Sequence, residues 1–170
     1  GRRRAAGQVM PEDYGHLAEE LRAGRPVATP TRGSSMEPLL YEGKTVAVVV
    51  PLSGPLRRGD VALYRRDSGL FVLHRVVSVR GGGYLLRGDN CFYQEQVRPG
   101  QMLGVLAEVV RNGKTLRVTD VRYRCYTAFW LANYPVRAFF HRFPLKKWPY
   151  YLTHLPTLLH KKFKIGRAHV

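Results

Sequence analysis

The sequence predicts a mostly antiparallel β fold, preceded by a short helix and followed by basic helices. Three observations predict it. Runs rich in β-branched residues recur at short intervals between residues 45 and 119, and clusters of Gly, Pro, Asn, Asp and Ser separate them. From about Tyr123 the composition changes, and aromatics alternate with Arg, Lys and His. At 170 residues, 45% of them apolar, the chain suits one domain with one core and an appendage. The expected organisation is a tail and amphipathic helix over 1–25, a β-rich domain over 26–120 and a basic aromatic helical appendage over 121–164.

Each element has a local reason. Pro11, Glu12 and Asp13 suit the first turn of a helix over 11–23, in which Tyr14, Leu17, Ala18 and Leu21 form one stripe and Gly24 is the stop. Residues 27–31 form a short extended stretch. Strands follow over 45–50, 60–65, 70–80 and 84–87, with turn chemistry at Ser53-Gly54-Pro55, Asp67-Ser68-Gly69 and Gly81-Gly82-Gly83. Residues 102–111 and 115–119 read as a hairpin turning at Asn112-Gly113. Beyond Tyr123, helices broken at Pro135, Pro144, Pro149 and Pro156 are expected.

The formal net charge is +16, and no Asp or Glu follows Asp120. Such a balance favours an anionic partner: a membrane surface, nucleic acid or an acidic peptide. Nucleic acid is the least favoured, because no recognition motif is present. In the appendage the basic aromatic stretch reads in two ways. It is an interfacial segment with Lys146, Lys147, Lys161, Lys162 and Lys164 on lipid headgroups, or a helical pair packed on the β domain with solvated cations. Two cysteines, Cys91 and Cys125, are too few for a disulfide framework or a thiolate metal site. No metal or cofactor is expected. No secretory leader and no run of 18 apolar residues is seen, so the expected location is cytoplasmic, or peripheral at the membrane face. Met10 is the expected start. Residues 165–170 match one reading frame of a common sequencing adapter and are expected to be an artefact, which would leave the natural C-terminus missing.

Chemistry concentrates in three short segments. Gly33-Ser34-Ser35-Met36-Glu37-Pro38 supplies a hydroxyl, Leu73-His74-Arg75-Val76 a base, and Arg87-Gly88-Asp89-Asn90 a carboxylate. A serine hydroxyl is a weak nucleophile near neutral pH, and needs a base to take its proton and a third group to orient that base. Taken singly, each residue has an ordinary reading. Ser35 is a polar loop serine, Met36 is core, His74 is satisfied by a carbonyl, Asp89 caps a turn, and Asp60 is a turn residue or ion-pair partner. Strand alternation places Val72, His74, Val76 and Ser78 on one face, an apolar setting that lowers an imidazole pKa and keeps it neutral. Glu95 lies six residues after Asp89, and either carboxylate suits the orienting role.

In that order the segments resemble the serine peptidases of the signal-peptidase and LexA-repressor type. The resemblance rests on Gly-Ser-Ser-Met-Glu-Pro at 33–38, Gly-Asp-Val at 59–61, Leu-His-Arg-Val-Val at 73–77 and Arg-Gly-Asp-Asn at 87–90, and covers roughly residues 27–110. It implies Ser35 as nucleophile and His74 as base. Histidine rather than lysine puts the chain with the branch of endoplasmic-reticulum and spore-former signal peptidases. It also implies Asp89 or Glu95 as the orienting carboxylate, with Gln94 where a second Asp is usual. Some members carry an oxyanion-holding serine where this chain has Gly33, so the oxyanion would rest on the Ser35 N–H or the Ser34 hydroxyl, with Met36 and Pro38 shaping the substrate-binding turn. No spanning helix flanks the serine segment. The chain is thus more similar to small soluble bacterial members, some of which adjoin modified-peptide biosynthesis genes and are thought to trim leader peptides. The expected partner is a peptide or protein substrate, and no oligomeric state is implied. The alternatives are a non-catalytic module docking through its basic end, and a self-cleaving repressor. The latter is disfavoured by His74 in place of Lys and by the short segment before Ser35.

Overall fold

The structure, a computed structural model, describes residues 15–142. The chain divides into two compact units at Leu131/Ala132. In the first unit, α1 (Gly15–Arg22) leads into β1 (Val27–Pro30), β2 (Thr45–Pro51), β3 (Val61–Arg65), β4 (Phe71–Arg80), β5 (Gly83–Arg87) and β6 (Glu95–Val97). A 3-10 turn at Pro99–Gln101 precedes β7 (Met102–Arg111) and β8 (Lys114–Arg117), and α2 (Val121–Ala132) follows. The strands run in the order β1-β2-β7-β3-β4-β5-β6, with β8 added to β7, and every pair is antiparallel.

The predicted hairpin forms at Asn112-Gly113, and the turn chemistry at 81–83 closes a second one. Arg111 pairs with Lys114 across Asn112 (φ 50) and Gly113 (φ 71), and Arg80 pairs with Gly83 across Gly81 and Gly82 (φ 56 and 74). Two successive positive φ values give the left-handed turn that matches strand twist, so Asn-Gly and Gly-Gly are the residues required there. Gly24 ends α1 at φ 80, as the stop signal implies.

The core has three parts. Ala18 and Leu21 of α1 pack with Val27, Val49, Leu63 and Phe71. On the same sheet, Tyr64, Val72, Val76, Tyr84 and Leu86 form a second cluster. Met36, Leu39 and Leu40 fill a third with Val61, Leu106, Val109 and Tyr123 of α2. At about 0.8 kcal/mol per buried methylene, these clusters are the main favourable term in folding.

Strand β4 has two unlike halves. Its residues 71–75 pair with β3, whereas β5 pairs only from Arg75 onward. Among the described residues, the 71–74 half of β4 therefore has a partner strand on one side only.

Three differences from the sequence reading stand out. Strand β6 is not among the predicted strands, because three residues are too few to show alternation. Helix α2 is expected in an appendage beginning at 121, yet its Tyr123 is buried and the first unit runs through Leu131. Pro135 lies in the first turn of α3 (Tyr134–Arg142), where its missing N–H costs nothing, so the break falls at Asn133. The stretch 11–14, the breaks at Pro144, Pro149 and Pro156, the five appendage lysines and residues 165–170 lie outside the described residues.

In the second unit, α3 exposes Val136, Phe139 and Phe140, and the two phenyl rings meet edge to face at 5.6 Å. Among the described residues, no helix is long and apolar enough to cross a membrane.

Candidate active site

The turn between β1 and β2 carries Ser35. Glu37 N–H donates to the Ser34 carbonyl and Leu40 N–H to the Met36 carbonyl, which winds residues 34–40 into a compact turn. The buried Met36, Leu39 and Leu40 anchor that turn in the core. Gly33 enters it at φ 75, in the left-handed region. A serine at 33 would be strained there, which gives a backbone reason for glycine at this position. Ser35 is half-buried and lines a groove with Thr29, Pro30, Thr31, Met36, Phe71 and Leu73. One wall of that groove is β1, a sheet edge, and the other is the singly paired half of β4.

A second turn, at Gly88-Asp89-Asn90 after β5, is laced to the first. Asn90 N–H donates to the Ser35 carbonyl at 2.8 Å, the Asn90 side-chain amide donates to the Ser34 carbonyl at 3.2 Å, and Asp89 N–H points at Met36 Sδ at 3.4 Å. A Cβ on Gly88 would lie 2.5 Å from the Ser35 carbonyl oxygen and 3.1 Å from His74 Nε2. The Ser35 backbone and the His74 ring nitrogen therefore confront one another across the same point.

His74 is 1% exposed. It sits opposite Ala62 in the β3–β4 register, on the face that also carries Tyr64 and Val72. The Tyr64 hydroxyl lies 3.2 Å from His74 Nδ1 and donates to Glu95 Oε2 at 3.0 Å. One hydroxyl has one proton. Having given it to the carboxylate, Tyr64 accepts from Nδ1–H, so Nε2 is left with its lone pair free. Glu95 Oε1 stands 3.7 Å from Nδ1, and Arg66 grips both Glu95 oxygens, with Nε to Oε2 at 2.8 Å. Tyr93, half-exposed, meets the imidazole edge-on at 6.4 Å.

Burial pushes the His74 pKa down to about 4, against the opposing pull of Glu95. The ring is thus neutral at physiological pH, the form in which Nε2 can accept a proton. Burial works against the Glu95 charge, but the bonds from Arg66 and Tyr64 outweigh it and hold the carboxyl below its usual range.

The two candidate carboxylates fall on different faces. Asp89 is clamped by Arg75, with Nε to Oδ1 and Nη2 to Oδ2 both at 2.7 Å, and it also accepts the Tyr126 hydroxyl at 2.8 Å. Arg75 donates further to the Gly59 carbonyl and to the Thr127 hydroxyl. Of the pair, Glu95 is the one beside the imidazole. Asp60 is a turn residue, accepting Arg57 N–H at 2.7 Å. Met36 holds the serine turn as core, and the Pro38 carbonyl accepts from Arg111 at 3.4 Å.

Sequence reading missed Tyr64 and Arg66; strand alternation in 60–65, which puts Tyr64 on one face with Ala62, is the signal that could have found Tyr64. It also missed Arg75, since an arginine with a 1% exposed side chain runs against the usual placement of that residue. Among the described residues, no group of His, Cys, Asp and Glu is arranged to hold a metal. In comparisons with known proteins, no family model, no curated protein and no solved structure matches this chain.

Proposed function

We propose that this chain is a serine endopeptidase with a signal-peptidase/LexA-like fold, of the branch that pairs serine with histidine. The observation that carries the reading is the polarity of His74. Nδ1 is engaged by Tyr64 and Glu95, while Nε2 faces the Ser35 turn.

In this reading an extended peptide adds as a strand in the groove between β1 and the 71–74 half of β4, with small side chains next to the cut site. Ser35 Oγ attacks the scissile carbonyl carbon as its proton passes to His74 Nε2. The Ser35 N–H, with the Ser34 hydroxyl, holds the oxyanion. The imidazolium that forms is stabilised by Glu95, directly and through Tyr64, and returns its proton to the leaving amine. Water, deprotonated by the same nitrogen, then releases the acyl group and restores the Ser35 hydroxyl. No step calls for a metal or cofactor.

One observation favours a second reading, a module that docks on anionic membranes. Helix α3 exposes Val136, Phe139 and Phe140 among basic residues, and no acidic residue follows Asp120. One experiment separates the two. Wild type, Ser35→Ala and His74→Ala are assayed on a mixed peptide library and on vesicles with and without phosphatidylserine. The peptidase reading expects each substitution to lower cleavage by on the order of 10⁴-fold or more, with vesicle binding unchanged. Equal cleavage by all three proteins would end it and leave the docking module.

A further inference from the structure

We propose that α2 sets the geometry of the Ser35–His74 pair, with Tyr126 and Trp130 as positioning residues that act through Asp89. The inference rests on the peptidase reading of Ser35 and His74, and goes beyond it in making a helix outside the sheet part of the machinery.

The connection is continuous. Trp130 Nε1–H donates to the Asp89 carbonyl at 2.9 Å, and the Tyr126 hydroxyl donates to Asp89 Oδ2 at 2.8 Å. The two rings stack on each other at 5.5 Å, so the helix presents both donors from one rigid surface. Asp89 is the middle residue of the turn whose next member, Asn90, donates to the carbonyls of Ser34 and Ser35. On the other side Asp89 holds Arg75, the neighbour of His74 on β4, and Arg75 lies 5.6 Å from the Tyr126 ring centre and 5.8 Å from that of Tyr123. The same helix therefore fixes the turn that holds the serine and the strand that holds the imidazole.

Crowding makes this coupling matter. The space at Gly88 between the Ser35 carbonyl and His74 Nε2 does not admit a methyl group, so a shift of the Asp89 turn moves the serine relative to the imidazole. Proton transfer tolerates little of that, since a misplacement of about 1 Å costs roughly 10²-fold in rate.

The test uses the full chain carrying Trp130→Phe and Tyr126→Phe together, which removes two hydrogen-bond donors and keeps an aromatic ring at each position. Peptide cleavage is measured beside wild type and Ser35→Ala, and amide hydrogen exchange at Asn90 beside the strand amides of β3 and β7. The expected result is a roughly 10²-fold lower kcat at a KM within about twofold of wild type. Asn90 exchange rises about 10-fold while the strand amides keep their protection, a pattern that general destabilisation does not produce. Wild-type kcat and wild-type Asn90 exchange in the double variant would overturn the proposal, as would a loss of protection spread evenly over the sheet. If wild type cleaves no better than Ser35→Ala, the peptidase reading fails, and Asn90 exchange still decides whether α2 holds the turn. Trp130→Phe alone is read in the same way should the double variant not fold.

Discussion

The two faces of β4 make an instructive pair. His74 and Arg75 are neighbours in sequence, and each meets a carboxylate and a tyrosine, yet the clusters differ in their access to water. On the His74 side, Glu95 and Arg66 have side chains 21% and 27% exposed. On the Arg75 side, Arg75 and Asp89 are 1% and 2% exposed. Similar parts therefore do different work. A partly wet carboxylate can respond to a charge that comes and goes on the imidazole, because nearby water relaxes around it. A sealed bidentate pair has no such water around it, so it holds structure in place.

The largest effect that would sharpen this contrast concerns stability. Replacing Asp89 by Ala leaves Arg75 charged in the interior, and urea unfolding should show a loss of about 3–5 kcal/mol. Removing the Glu95 charge leaves Arg66 near solvent, so Glu95→Gln should cost under about 1 kcal/mol. Equal losses would erase the distinction drawn between the faces.

Acid has the next largest effect. The folded pKa of His74, about 4, lies below the ordinary 6.5 of an unfolded chain. Between those values the unfolded state binds more protons, so stability from this group is fully present above about pH 6.5 and falls as the pH drops toward 4. The change is on the order of 3 kcal/mol. Urea midpoints from pH 7.5 to 4.5 check it, with His74→Gln as the control that flattens the slope. For cleavage, the acid limb of kcat/KM should lie well below 6.5. A limb at 6.5 would mean that the buried imidazole is not the titrating base.

The smallest effect tests the orienting role itself. Glu95→Gln and Tyr64→Phe should each lower kcat by about 10- to 100-fold, consistent with a loss of about 1.4–2.7 kcal/mol of transition-state stabilisation. If Glu95→Gln leaves kcat at the wild-type value, the carboxylate assignment between the two faces is wrong.

Much of the sheet was legible from the chain because its signals are local. The β-branched runs, the Asn112-Gly113 and Gly81-Gly82 turns and the Gly24 stop each act within a few residues. The apolar setting of His74 was legible for the same reason, since Val72 and Val76 flank it at strand period. The choice between Asp89 and Glu95 was not. It depends on which face of β4 each loop reaches, and that follows from β5 pairing with the 75–80 half of β4 and from the three-residue β6. Nor was the role of α2 visible. Tyr123, Tyr126 and Trp130 look like the other aromatics of a basic stretch until Asp89 is seen beneath them.

Glycine at position 88 also has a meaning that backbone dihedrals do not supply. Its φ is not among the left-handed ones, so a positive φ does not bar larger residues there. What excludes them is the lack of volume between a carbonyl and an imidazole. The missing side chain is itself a working part, an aperture one carbon wide that lets two strangers in the sequence come face to face.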